Sequence, residues 1–98
     1  MAERLIDEFI EKWLELSLRV RQKDGLDEAL HEELIELLGR IKAEWAGQER
    51  IPKRLADVFL DMWGALTSCA DSYDEDARRT IYVAADHLVF HAREICWS

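Results

Sequence analysis

Proline occurs once and glycine four times in 98 residues. That scarcity argues against an all-β domain, which needs frequent turns. Only two cysteines are present, Cys69 and Cys96, too few for a disulfide framework; free, packed thiols in a reducing compartment are expected. No apolar run approaches the roughly 18 residues of a membrane span. The opening "MAERLIDEF" sets charges where a signal peptide needs an apolar stretch, so a cytoplasmic location is expected. Basic residues are also in deficit, with 13 lysines and arginines against 21 acids and a net charge of −8. They are scattered, and the pairs Lys53-Arg54 and Arg78-Arg79 have acids close by. Direct binding to DNA or RNA, or to an anionic membrane, lacks the clustered cations it requires.

Catalytic signatures are equally sparse. There is no glycine-rich phosphate loop, and "HLVFH" (residues 87–91) lacks the glutamate of a metalloprotease HExxH helix. Di-iron bundles need a carboxylate from each of two helices plus two Glu-x-x-His units, and no such unit is expected in this sequence. His87 and His91 stand one turn apart with Glu94 following, a spacing that zinc or iron accepts. Histidines packed at a helix edge are the expectation, with no metal and no cofactor. Asp86 beside His87, and Asp57 with Asp61, are the other acid–base pairs, and no nucleophile stands in register with them. The expectation is a protein that is not an enzyme.

What is present is apolar material, 49% of the chain, alongside 35% charged residues. That is enough for one solvated globular domain spanning 1–98. Helical periodicity runs through four segments, at about 3–22, 27–46, 52–71 and 73–96. In the first, Ile6, Phe9, Ile10, Trp13, Ser17 and Val20 recur at three- and four-residue steps, with Leu5, Leu14 and Leu18 widening the stripe. Gly25 is the expected left-handed cap. The second has Asp27 as its N-cap and a face of Leu30, Leu34, Leu37, Leu38, Ile41 and Trp45. The third starts at Pro52 and carries Leu55, Phe59, Met62, Leu66, Cys69 and Tyr73 as a coiled-coil-like seam, flanked by Leu60, Trp63 and Ala70. Ser72-Tyr73-Asp74-Glu75 reads as a capping box opening the fourth. Trp13, Trp45 and Trp63 are read as core, and Trp97 as a fraying end or a docking anchor.

The fold class expected is all-α: an antiparallel up-down four-helix bundle, with a swapped helical-hairpin dimer as the alternative. "TIYVAADHLVFHA" (80–92) is apolar nearly all round, which points to a central helix touching the other three, or to an interface.

The acidic residues are arranged more tellingly. "DGLDEALHEELIE" (24–36) holds six acids and no lysine or arginine. Glu28, Glu32 and Glu36 recur every four residues, a spacing at which like charges repel, and the helix dipole accounts only for Asp27 and Glu28. A second knot, Asp71, Asp74, Glu75 and Asp76, opens the fourth helix. In an up-down bundle both lie at the same end. The candidate partner-binding residues are therefore Asp24, Asp27, Glu28, Glu32, Glu36, Asp71, Asp74, Glu75 and Asp76, and the expected partner is a basic protein. "LDEALHEELIELLGRIKAEW" resembles the first helix of helical chorismate mutases, a resemblance that implies several arginines and lysines facing one dianion; the sequence offers no such set. In size, charge and helicity the chain is similar to bacteriocin or toxin immunity proteins and phage-encoded inhibitors, with no shared motif. The function expected is inhibition or sequestration of a basic partner. A homodimeric scaffold joined through the fourth helix is the alternative, and a metal- or small-ligand-binding bundle the third reading.

Overall fold

The computed structural model describes residues 2–97. Four helices make up the fold: α1 (Ala2–Arg21), α2 (Glu28–Trp45), α3 (Lys53–Ala70) and α4 (Glu75–Trp97). They form an up-down-up-down bundle of 41 × 21 × 20 Å, and each boundary falls within two residues of the sequence expectation. Two helical hairpins build it, α1 with α2 and α3 with α4. They dock so that α1 lies beside α3 and α2 beside α4. The α2–α3 connection, residues 46–52, therefore crosses the bundle diagonal.

One consequence overturns an expectation. α4 is not a central helix touching all three others: it flanks α2 and α3, and no Cα of α4 comes within 8 Å of α1. A four-helix square gives every helix two neighbours and one solvent-facing side, and α4 is no exception.

The buried residues of α1 are Ile6, Phe9, Trp13, Leu16, Ser17 and Val20. Except for Ser17 they step strictly by three and four, the narrow seam of a helix held between two neighbours. Leu14 and Leu18, expected to widen the stripe, are exposed, and Leu16 takes the core position instead. α2 buries Leu30, Leu34, Leu37, Leu38 and Ile41. α3 contributes Leu55, Val58, Met62, Leu66, Thr67 and Ala70, and α4 adds Ile81, Ala84, Ala85, Leu88, Ala92 and Ile95. Each large apolar side chain removed from water contributes roughly 1.5–3 kcal/mol, most of it offset by the chain entropy lost on folding. Leu60, placed on a flanking stripe by the sequence, is 87% exposed, and Trp63 is 45% exposed.

Helix ends differ from expectation in detail. Lys23, not Gly25, supplies the left-handed residue that ends α1, with φ of 64°. The N–H of Asp24 reaches the Arg19 carbonyl at 2.9 Å and that of Lys23 reaches Val20 at 3.1 Å, the paired bonds of a Schellman motif. Gly25 follows with φ of 89°, so two left-handed residues turn the chain within one short loop. The capping box at α4 does not form. Ser72 turns its hydroxyl back to the Cys69 carbonyl at 2.8 Å, and Asp74 caps the helix by accepting the Ala77 N–H at 2.8 Å. With Asp74 at that position the helix begins at Glu75, two residues later than a serine cap requires.

Candidate functional site: an acidic pole

The two acidic segments meet because their loops are tied together. Tyr73, in the α3–α4 turn, donates its hydroxyl to the Val20 carbonyl at 2.8 Å and accepts the Gly25 N–H at 3.1 Å. One side chain thus joins the end of α3 to the turn between α1 and α2. The C-termini of α1 and α3 and the N-termini of α2 and α4 all gather at this pole.

The nine acids expected there do not play equal parts. Asp27 is committed internally: one carboxylate oxygen accepts the Leu30 N–H at 3.0 Å and the other takes Arg19 at 2.7 Å. Asp74 is the α4 cap, still exposed and still negative. Glu75 lies 3.6 Å from Arg79 in a loose, exposed pair. Asp24, Glu28, Glu32, Glu36, Asp71 and Asp76 are exposed and have no ion pair among the described residues.

Glu28, Glu32 and Glu36 run down the side of α2 that faces solvent, over about 12 Å of helix. Glu33, one step round, faces α1 and bonds Lys12 at 2.9 Å. Glu28 lines a shallow groove between α2 and α4 with Leu26, His31, Arg79 and Thr80. Arg79 thus sets a cation between the two acidic groups.

Beside this pole lies a feature that sequence reading divided. His87 and His91 face one another as their spacing predicts, Nε2 to Nε2 at 3.3 Å. His31, from α2, joins them with its ring centroid 5.5 Å from that of His87. All three histidines of the chain therefore line one seam between α2 and α4. Two sequence signals mark His31: it sits at the edge of the α2 apolar face, and with Glu28 it forms a lone Glu-x-x-His step, against the expectation that the sequence has none.

Burial pushes the His31 pKa below the ordinary histidine value, and the neighbouring His87 adds to this. The Ala84 carbonyl, Glu32 and Glu28 oppose the shift. Nonetheless no hydrogen bond reaches His31 Nε2, which is buried. His91 is lowered by burial and by His87, with Glu94 opposing and Lys42 reinforcing. Burial thus favours the neutral form of His31 and of His91. Among the described residues, no three or more His, Cys, Asp and Glu side chains are gathered to hold a metal ion.

The thiols of Cys69 and Cys96 are free, half-buried and exposed respectively. No helix of the described residues is long and apolar enough to cross a membrane. Comparisons with family models, with curated proteins and with solved structures find no match to this chain.

Proposed function

We propose that this protein is a cytoplasmic, non-enzymatic binding protein that inhibits or sequesters a basic partner, such as a nuclease toxin or another nucleic-acid-handling enzyme. One observation carries the reading: six exposed carboxylates, without ion pairs among the described residues, gather at and below one end of the bundle. Glu28 and Asp76 lie in the first turns of α2 and α4 and answer the helix dipole. Folding gains little from Glu32 and Glu36, since like charges four residues apart on a helix repel by a few tenths of a kcal/mol per pair. A cationic surface gains much, because an opposed field speeds encounter and selects the partner. Apolar hold comes from Leu18, exposed in the last turn of α1, and from Leu26 in the groove beside Glu28.

The test compares wild type with the combined Glu28→Lys, Glu32→Lys and Glu36→Lys variant. Both are used to capture proteins from native cell extract at low and high salt, and captured proteins are identified by mass spectrometry. The expected result is one basic protein held by wild type, weakened by salt and absent from the triple variant. Purified partner then binds at equal stoichiometry and loses its own activity. Identical captures by both proteins, or a captured protein of acidic character, would refute the reading. Circular dichroism of the variant keeps loss of binding distinct from loss of fold.

A further inference from the structure

α4 turns a side to solvent that its two neighbours never cover. On it Val83, Phe90 and Trp97 recur at seven-residue steps, 62%, 58% and 80% exposed. Seven residues are two helical turns, so the three side chains form one straight stripe about 21 Å long. Scattered exposed apolar residues are ordinary in soluble proteins, but an ordered row of this kind on one helix marks a contact surface. Asp86 and Arg93, also seven apart, flank the row. Among the described residues Arg93 has no ion pair. Asp86 spends one oxygen on Trp63 Nε1 at 2.9 Å, leaving the other free.

Whatever covers this stripe must offer three apolar groups at the same spacing. It must also set an acid against Arg93 and a base against Asp86. A second α4 running antiparallel, with the twofold axis at Phe90, meets every requirement. Phe90 then faces Phe90 of the second copy, and Val83 faces Trp97 of the second copy. Asp86 comes within one residue of Arg93 of the second copy, and the same pair repeats across the axis. Glu94, which would otherwise oppose Asp86, is drawn aside towards α2 by Lys42 at 3.0 Å. A parallel pairing sets Asp86 against Asp86 and Arg93 against Arg93, so charge chooses the antiparallel register.

We infer that the protein self-associates through the outer side of α4 as an antiparallel, twofold-symmetric dimer. Such an interface is isologous and closes at two copies. Three apolar side chains per copy, edged by Trp63, fall at the low end of specific interfaces, below about 1,200 Å² in total. The dimer is therefore reversible and forms in the micromolar range or weaker. The stripe meets the groove of Glu28 at Val83, which lines it, while Glu32 and Glu36 lie outside the stripe.

Sedimentation equilibrium from micromolar to millimolar protein tests the inference. Wild type passes from monomer to dimer with concentration, and Phe90→Glu stays monomeric at every concentration. The decisive arm uses charge. Arg93→Asp and Asp86→Arg are each monomeric alone, since each places like charges across the axis. Mixed in equal amounts they form a heterodimer at least as strong as wild type. Asp86→Arg removes the bond to Trp63. Should that variant fail to fold, a Phe90→Cys chain with Cys69 and Cys96 replaced by alanine is oxidised instead. The expected result is a disulfide-linked dimer across the axis, and its absence would overturn the inference. A monomeric wild type at all concentrations would overturn the inference. So would dimerisation of Phe90→Glu, or a mixture that remains monomeric.

Discussion

Tyr73 is the joint on which the acidic pole depends, and Tyr73→Phe tests it with the ring retained. The hydroxyl serves two groups, donating to the Val20 carbonyl at 2.8 Å and accepting from Gly25 N–H at 3.1 Å. After its removal Val20 still accepts the Lys23 N–H at 3.1 Å, so that carbonyl loses little. Gly25 has no second partner, and its N–H is left in a half-buried turn. One net hydrogen bond and one partly desolvated donor together amount to about 1–2 kcal/mol. For a domain of this size that lowers Tm by roughly 5–12 °C. Urea titration is the assay, with a lower midpoint and an unchanged m-value, because the surface exposed on unfolding is the same. Hydrogen exchange of the Gly25 amide supplies the local readout and accelerates in the variant. An unchanged midpoint together with an unchanged Gly25 exchange rate would refute the claim that this hydroxyl holds the two loops together.

Three further outcomes are expected. Lys23→Gly raises stability by about 0.5–1 kcal/mol, because a side chain is strained at φ of 64° and glycine is not; a loss of stability in urea titration would contradict that account. Gly39→Ala and Gly64→Ala each add up to about 1 kcal/mol, since a Cβ at either position meets nothing within 4 Å; a neutral or negative change would mean these glycines serve the folded chain in some other way. Stability also declines as pH falls below the ordinary histidine value of 6.5, because the folded pKa values of His31 and His91 lie lower. Between the folded and unfolded values the unfolded chain binds more protons, so stability is complete above that window and lost as pH falls through it. The groups facing these rings are His87, Glu28, Glu32, Glu94, Lys42 and the Ala84 carbonyl. The His31→Asn, His91→Asn double variant shows a flatter dependence than wild type between about pH 7 and pH 5, and equal slopes would refute the assignment.

Much of the architecture was legible because helix formation is a local matter. Apolar steps of three and four, the Asp27 cap and Pro52 before α3 locate the helices to within two residues. The misreadings share one physical source. Leu14, Leu18, Leu60 and Trp63 carry the hydrophobicity of core residues, yet a helix in a square bundle buries only the sector between its two neighbours. Periodicity names several compatible sectors, and packing selects one. At α4 two local caps competed: Ser72 and Asp74 are both good N-cap residues, and the turn that positions Tyr73 against Gly25 leaves the start to Asp74.

For the candidate site the division is similar. Charge, composition and the four-residue spacing of Glu28, Glu32 and Glu36 are properties of the chain itself, and they determine a bundle with an acidic helix side. Everything that joins distant segments was decided by tertiary structure. That includes the Arg19 contact that takes Asp27 out of the pole, the meeting of His31 with His87 and His91, and the uncovered side of α4. Sequence encodes which residues share a helix face through its 3.6-residue period. Which faces meet depends on how two hairpins dock, a choice made by the summed packing of some twenty core side chains and not by any one motif.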